Sequence, residues 1–332
     1  MSVLSWNVLA EFMAVRHRET AKLTGTWPRR MRVIVARILA LRPNIVCLQE
    51  VQVRSRGCMD GSDNHAEALL DALAPFGYDG SYARVERSST ALLMWDRTLR
   101  LTSTLQPVQD IIPHSMRTEA VTAALGMYTT RLVVARMVHV ATGRNVVACC
   151  GHAGVPLVRG AGGEDEYAHY IPLMDAVVSA TALHSACGAS MADGVAPAVV
   201  WGVDFNSRVG DPAVQFTTNG RLSGEVEARL AAQAARDGVT WFPATMGRHG
   251  VPLASAYGQV LGRELPYTNV NPETQFVGAI DYIFYSPNTL QPVAVLDVYP
   301  WSRTIHPAVP LLPNRAVPSD HLPLLATFTL DV

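Results

Sequence analysis

Polar side chains recur where apolar runs of this sequence end. In chain order they are Asn7, Glu50, His152, Asp204 with Asn206, Asp281, and Asp320 with His321. Carboxylates are hard oxygen ligands suited to Mg2+-like cations. Carboxylates and imidazoles also hold and move protons near neutral pH. A single acidic residue at a strand end is usually a cap or a solvated turn. An ordered series of such ends is different, because strand ends are rigid and can aim several side chains into one cleft.

The elements that must position these residues are legible from periodicity. Val3 to Leu9 reads as a strand delivering Asn7. A helix opens at Thr26-Trp27-Pro28, repeats Met31, Ile34, Ile38 and Leu41 on one face, and closes at Arg42-Pro43. Ile45 to Leu48 is a short apolar strand ending on Gln49-Glu50. His65 to Leu73 reads as a helix, and Leu92 to Trp95 as a strand. Leu132 to Val140 and Asn145 to Cys150 form a hairpin around Ala141-Thr142-Gly143. Val158 to Asp165 reads as a loop and Tyr167 to Ala186 as a helix. Ala198 to Val203 is a buried strand carrying Asp204 and Asn206. Glu225 to Arg236 reads as a helix, and Ala279 to Tyr285 and Val293 to Val298 as strands. A Pro-rich loop spans Pro300 to Pro318, and Leu322 to Leu330 is the last strand. Strands with interspersed helices, no internal repeat and no linker predict one two-sheet α/β domain over residues 1–332.

The bulk composition sets limits. Of 332 residues, 49% are apolar and 17% charged, with a net charge of −1. That is a core-rich enzyme's composition and excludes a disordered or coiled-coil chain. A near-neutral balance argues against broad duplex binding, which needs a dominant basic surface, and leaves open a nuclease that grips a few nucleotides at one strand end. The five cysteines, Cys47, Cys58, Cys149, Cys150 and Cys187, have no zinc spacing and read as free thiols of a reducing compartment. No apolar run approaches the roughly 20 residues of a membrane span. No secretory signal is visible, so a cytoplasmic protein without membrane contact is expected.

Six segments resemble the exonuclease–endonuclease–phosphatase superfamily, the group of deoxyribonuclease I and the abasic-site endonucleases. They are SWNVLA (5–10), NIVCLQEV (44–51), ACCGHAG (148–154), WGVDFNS (201–207), AIDYIFYS (279–286) and PSDHLPLLATF (318–328). The resemblance implies a DNase-I-like four-layer α/β sandwich, two packed mixed β-sheets flanked by helices. It implies a Mg2+-dependent phosphodiesterase in which Mn2+ can substitute. Glu50 matches the principal metal ligand, with Asn7, Asp320 and Asp204 completing the metal side. Asp204 matches the residue that orients or deprotonates the attacking water, and Asn206 a phosphate and transition-state contact. His321 and His152 match phosphate-contacting histidines. Asp281 would pair with His321 and favour its imidazolium form.

Three features point to the branch of the deadenylases, nocturnin, the angel proteins and the 2′-phosphodiesterases: Tyr267-Thr268-Asn269 followed by Phe276-Val277-Gly278-Ala279-Ile280-Asp281; Leu253-Ala254-Ser255-Ala256-Tyr257; and Pro318-Ser319-Asp320-His321. In that branch Phe276 would stack on an adenine, Pro156 would close the other side of the base, and Asn269 would contact the nucleotide. Glu86 is a further candidate contact. The leading function is a 3′-exoribonuclease removing poly(A) from single-stranded RNA. The alternatives are a 2′,5′-oligoadenylate phosphodiesterase or nocturnin-like dinucleotide 2′-phosphatase, then a general endonuclease, then a non-catalytic nucleic-acid-binding module. With no leucine-rich repeat ahead of the first strand, docking to a large deadenylase complex by that route is not expected. The chain departs from the pattern at Val203, where the family has glycine, and at Gly151, where it usually has threonine or alanine. Ser88 to Ala91 replaces an aspartate–glycine–cysteine–alanine segment, extra residues surround Asn271-Pro272, and a glutamine common in the helix after His152 is not evident near Leu173.

Overall fold

A computed structural model describes residues 1–15, 25–53, 64–82, 89–103, 131–155, 158–159, 166–167, 170–191, 194–236, 250–251, 253–271, 273–297 and 312–330. The strands are β1 Ser2–Asn7, β2 Ile45–Gln52, β3 Tyr78–Tyr82, β4 Ser89–Asp96, β5 Leu99–Leu101, β6 Leu132–His139, β7 Asn145–His152, β8 Val158–Arg159, β9 Glu166–Tyr167, β10 Ala198–Asp204, β11 Ala254–Ser255, β12 Asn269–Asn271, β13 Phe276–Gly278, β14 Asp281–Tyr285, β15 Leu290–Val295 and β16 Leu324–Leu330. The helices are α1 Glu11–Ala14, α2 Trp27–Leu41, α3 His65–Leu73, α4 Tyr170–Ala189, α5 Pro212–Asn219, α6 Gly224–Arg236 and α7 Ala256–Leu261.

Two six-stranded sheets carry the structure, ordered β15-β16-β1-β2-β4-β3 and β11-β14-β10-β7-β6-β5. Each has one parallel pair at its centre, β1 with β2 and β10 with β7, and antiparallel pairs around it. Alternation along the central strands sorts their side chains between three cores. Val3, Ile45, Cys47, Ala148, Cys150 and Val200 meet between the sheets. Leu4, Trp6, Val46 and Leu48 face outward onto Ile34 and Ile38 of α2 and Leu69 of α3. Val199, Trp201 and Val203 face the other way, onto Leu173, Val177 and Leu183 of α4 and Phe216 of α5. Strands covered on both faces read as continuous apolar runs. The result is the expected four-layer sandwich. Among the described residues no helix is long and apolar enough to cross a membrane.

Most differences from the sequence reading lie at element edges. The loop expected from Val158 begins as β8, which pairs with β9 through Val158↔Tyr167. Tyr167 is therefore committed to a ladder, and α4 starts three residues later, at Tyr170. Strand β14 starts at Asp281 rather than Ala279. There Thr268 Oγ1 accepts from the Ile280 and Asp281 amides at 3.0 and 3.1 Å, so the chain bends before joining the sheet. Strand β15 runs Leu290–Val295, with a bulge between Pro292 and Ala294, where proline cannot continue the ladder. Most of the Pro-rich stretch expected from Pro300 lies outside the described residues, as does Cys58; the other four cysteines are free and buried. Periodicity had not marked β3, β5, the β12–β13 hairpin, α5 or α7. The last is capped by Ser255, whose Oγ accepts from Gly258 N at 3.2 Å.

Val203 and Gly202 explain one departure. Val203 points to the α4 core, and Gly202 points between the sheets. A Cβ on Gly202 would lie 2.7 Å from Cys47 Cβ and 2.9 Å from Ser5 Oγ. The close approach of the sheets beside the cleft therefore needs glycine at 202, not at 203. Gly202→Ala is expected to destabilise the fold by about 1–3 kcal/mol, as overpacked cores do, measured by urea unfolding. The double variant with Cys47→Gly should recover most of the loss; no recovery would show that this contact does not set the spacing.

Candidate active site

The sheet registers align the polar strand ends. In the second sheet Asp204 is the register partner of His152 on β7 and of Asp281 on β14. Three adjacent strands therefore end on three of the predicted residues. In the first sheet, β1 and β2 bring Asn7 and Glu50 to the same edge. Asn7 links the sheets: its Nδ2 donates to Glu50 Oε1 at 3.1 Å and to Asp204 Oδ2 at 2.9 Å. Its Oδ1 accepts from Leu9 N at 2.9 Å, which fixes the amide orientation.

Glu50 and Asn206 both adopt left-handed backbone conformations, with φ of 55° and 49°. The β2 ladder is irregular between Leu48 and Val51, which turns Glu50 out of the alternation. Its Oε2 accepts from Ala10 N at 3.2 Å, and its side chain remains 20% exposed to the cleft. Asn206 is held by its own amide donating to Asp204 Oδ1 at 2.9 Å and by Nδ2 donating to the Ala153 carbonyl at 2.8 Å. Non-glycine residues in this region cluster at functional sites, where surrounding bonds hold them.

His321 arrives on the loop before β16. Its Nδ1 lies 2.9 Å from Asp281 Oδ2, and its Nε2 lies 3.8 Å from Asp204 Oδ2. Thr268 Oγ1 donates to Asp281 Oδ2 at 2.5 Å, completing a Thr268–Asp281–His321 chain. Asp320 accepts from Asn271 Nδ2 at 3.3 Å, and its carbonyl accepts from Val270 N at 2.8 Å. Asn269 is buried and bridges to His321 through the backbone. Phe276 is half-buried at the rim and belongs to none of the three cores. The structure thus gathers Asn7, Glu50, His152, Asp204, Asn206, Asp281, Asp320 and His321, with Asn269 and Phe276 on the adjoining hairpin. Pro156 and Glu86 lie outside the described residues.

Burial splits the titration of this cluster. Asp204 is pushed up to about 6, first by burial and then by the charge of Asp281, against the pull of His321, His152 and Asn7. His152 is pushed down to about 4 by burial, with Asp204 opposing. Its Nε2 lies 3.2 Å from Asn206 Nδ2, the contact of a neutral ring accepting from an amide. Burial also works against a charged His321, but Asp281 and Asp204 outweigh it and hold the imidazolium well above the usual histidine range. One histidine is neutral and the other charged.

Other residues that sequence reasoning passed over hold the site together. Arg30 of α2 is fully buried. Its Nε donates to the Pro318 carbonyl at 3.0 Å, its Nη1 to Glu11 Oε2 at 2.7 Å, and its Nη2 to the carbonyls of Val8 and Leu9. One guanidinium thus joins the loop after Asn7 to the loop before His321. Ser319 Oγ tightens the same joint by donating to the Asn7 carbonyl at 2.7 Å and accepting from His321 N at 3.1 Å. Asp175 of α4 accepts from Gly154 N at 2.5 Å, supporting the His152 loop from the helix where the family's glutamine was missing. Gly151 has a local cause too: a Cβ there would lie 3.0 Å from Trp201 Nε1. An arginine amid apolar helix positions was the sequence signal for Arg30, and Ser319 stood within the Pro318–His321 motif; Asp175 lay in no motif.

The donor set fits a hard divalent cation. Glu50, Asp204, Asp281 and Asp320 bring carboxylates to one edge with a single imidazolium among them, and oxygen donors suit Mg2+ or Mn2+. Ligand atoms of Asp204, Asp281 and His321 lie within 4.8 Å of one another. In that trio, however, Asp281 and His321 bind each other, whereas Glu50 faces the cleft.

Comparison with known proteins agrees with this geometry. No protein-family model matches the chain. ANGEL2, described as a 2′,3′-cyclic phosphatase, superposes with a TM-score of 0.73 at 20% identity, covering 98% of this chain and 94% of that one. The chain has the exonuclease–endonuclease–phosphatase fold. An endonuclease/exonuclease/phosphatase from Bacteroides vulgatus gives 0.60 at 16% identity, with coverage of 99% and 98%. The human nocturnin catalytic domain gives 0.59 at 17%, with coverage of 100% and 94%. In sequence, the chain is 38% identical over 130 residues to the CCR4-Not complex 3′-5′-exoribonuclease subunit Ccr4 of Aspergillus terreus, a match covering 38% of this chain and 17% of that protein. The Ccr4 subunit of Coccidioides immitis is 37% identical over 137 residues, 40% of this chain and 16% of that protein. The chain thus spans under a fifth of these curated relatives' length. ANGEL2, nocturnin and the Ccr4 subunits belong to the deadenylase, nocturnin and angel branch that the sequence motifs indicated.

A buried acid at about 6 has a thermodynamic signature. The folded state holds the Asp204 proton more tightly than the unfolded chain, whose aspartates titrate at 3.8. Stability from this group is therefore fully present below pH 3.8 and is lost as pH rises through 6. In chelator, Asp204→Asn should gain on the wild type by about 1–3 kcal/mol between pH 4 and 6.5, since each pKa unit is 1.36 kcal/mol. Urea midpoints across that range read the difference. A constant difference would mean that Asp204 ionises normally.

Proposed function

We propose that the protein is a divalent-metal-dependent phosphodiesterase that removes nucleotides from the 3′ end of single-stranded RNA, with poly(A) as substrate. The observation that carries this reading is the meeting of Glu50 and Asp204 on one amide, that of Asn7, which joins the two sheets, with His321 Nε2 3.8 Å from Asp204 Oδ2. The sequence similarity to Ccr4 exoribonuclease subunits supports the substrate class. A cytoplasmic RNA enzyme is the corresponding setting.

Glu50, with Asn7, Asp320 and Asp204 around it, would hold Mg2+ or Mn2+, which neutralises phosphate charge when bound. The other steps fall to the chain's own groups. Asp204 Oδ2 takes a proton from the attacking water, and a pKa of about 6 suits a base working near neutral pH. His321 Nε2 donates to a phosphate oxygen, kept charged by Asp281 through Nδ1. Asn206 Nδ2 and neutral His152 line the opposite side of the phosphate. Phe276 supplies a stacking platform for the base and Asn269 a polar contact. Pro156 and Glu86 belong to the same reading on sequence grounds alone.

A second reading follows from the higher TM-score to ANGEL2 than to nocturnin: hydrolysis of a terminal 2′,3′-cyclic phosphate by the same groups. The 2′,5′-oligoadenylate and dinucleotide 2′-phosphatase alternatives use the same cleft.

One gel separates these activities. RNAs labelled at the 5′ end (oligo(A), oligo(U) and oligo(A) with a 2′,3′-cyclic phosphate) are incubated with Mg2+ or with a chelator. The expected result is a Mg2+-dependent ladder shortening from the 3′ end, fastest on oligo(A), and absent with Glu50→Ala of unchanged melting temperature. Phe276→Ala should weaken oligo(A) binding by about 1–3 kcal/mol, the worth of a base–aromatic stack. Internal cuts, or ring opening without shortening, would replace the exonuclease reading. Full activity in folded Glu50→Ala would remove the metal assignment.

A further inference from the structure

Arg208 lies two residues past Asn206, just beyond the WGVDFNS segment. Its guanidinium carbon sits 4.9 Å from the centre of the Phe276 ring. The two side chains meet over Gly278: a Cβ there would come within 2.9 Å of Phe276 Cζ and 3.2 Å of Arg208 Nε. The backbone beneath is fixed. Arg208 N–H donates to Asp211 Oδ2 at 2.7 Å, and the Ser207 carbonyl accepts from the Tyr282 hydroxyl at 2.9 Å. Arg208 is nevertheless exposed, and no hydrogen bond or ion pair involves its guanidinium among the described residues.

These facts combine in one direction. A guanidinium stacked on a ring is held by cation–π attraction while its N–H edges stay open, a geometry suited to a phosphate. It covers one face of Phe276 and leaves a base only the other. Glu50, Asp204, Asp281 and Asp320 make the neighbouring cleft acidic, so a substrate with several phosphates needs positive charge at the rim. Gly278 provides the room that seats both groups together.

We propose that Arg208 and Phe276 form one composite subsite that takes a nucleotide by its base and by a second phosphate, distinct from the phosphate hydrolysed. The inference rests on the phosphodiesterase reading and narrows its substrate to chains or dinucleotides carrying more than one phosphate. Arg208 sets specificity; it takes no part in bond breaking.

Adenylyl dinucleotides with an internal phosphorothioate, which slows cleavage, test this by equilibrium binding in Mg2+. The three probes are ApA, pApA and ApAp. The wild type should bind one of the two-phosphate probes about ten- to a hundredfold more tightly than ApA, the range for a hydrogen-bonded charge pair. Arg208→Met, which keeps an apolar stem on the ring, should abolish that preference and leave ApA binding and the melting temperature unchanged. Arg208→Lys should keep part of it, with stronger salt dependence. The preferred probe identifies which side of the scissile bond Arg208 reads. A preference that survives Arg208→Met, equal weakening of all probes, or no preference in the wild type would overturn the proposal. Hydrolysis of the preferred two-phosphate probe in its unmodified form is scored separately. Its absence alongside an Arg208-dependent preference would count against the phosphodiesterase reading and not against the subsite.

Discussion

The Asn7 side-chain amide is the joint on which the site depends. It stands on the first sheet, donates to Glu50 of its own sheet and reaches Asp204 of the other. For that reach the sheets must approach closely at this edge, and they do so where Gly202 faces Cys47 and Ser5. Arg30 and Ser319 then bind the loop after Asn7 to the loop carrying His321. Main-chain carbonyls that would otherwise be buried without partners are satisfied by this joint, which makes it hard to distort.

The same joint explains how so much like charge is held in one place. Buried carboxylates repel one another and lose hydration. Here Asp281 is matched by His321 and Thr268, and Asp204 by Asn7 and the Asn206 amide. What remains uncompensated is expressed as a raised Asp204 and a neutral His152. Left-handed backbone at Glu50 and Asn206 is a further local penalty, offset by the sandwich around it. The three apolar cores supply the rigidity that keeps these groups converged.

The proposed substrate contacts stand on lighter elements than the acidic cluster. Glu50, Asp204 and Asp281 stand on strands of the two large sheets, whereas Asn269 and Phe276 ride a hairpin of two three-residue strands, and Arg208 follows the end of β10. Short rim elements vary in length and composition without disturbing the sheets. The extra residues around Asn271 and the arginine at 208 are of this kind.

The sequence by itself pointed to the polar strand ends that converge on one cleft and to the two-sheet α/β architecture. Strands buried on both faces must be apolar throughout, so a polar residue at their ends is conspicuous, as at Glu50, Asp204 and Asp281. Short motifs tied those ends to one superfamily. Tertiary structure alone decided the rest. Arg30, Thr268, Ser319 and Asp175 act through contacts with residues distant in the chain, and nothing in local periodicity reports such partners. Glycine at 202 in place of 203 became intelligible only once each residue's facing core was known. The opposite charge states of His152 and His321 likewise follow from burial and from the Asp281 contact, which depend on how the two sheets meet.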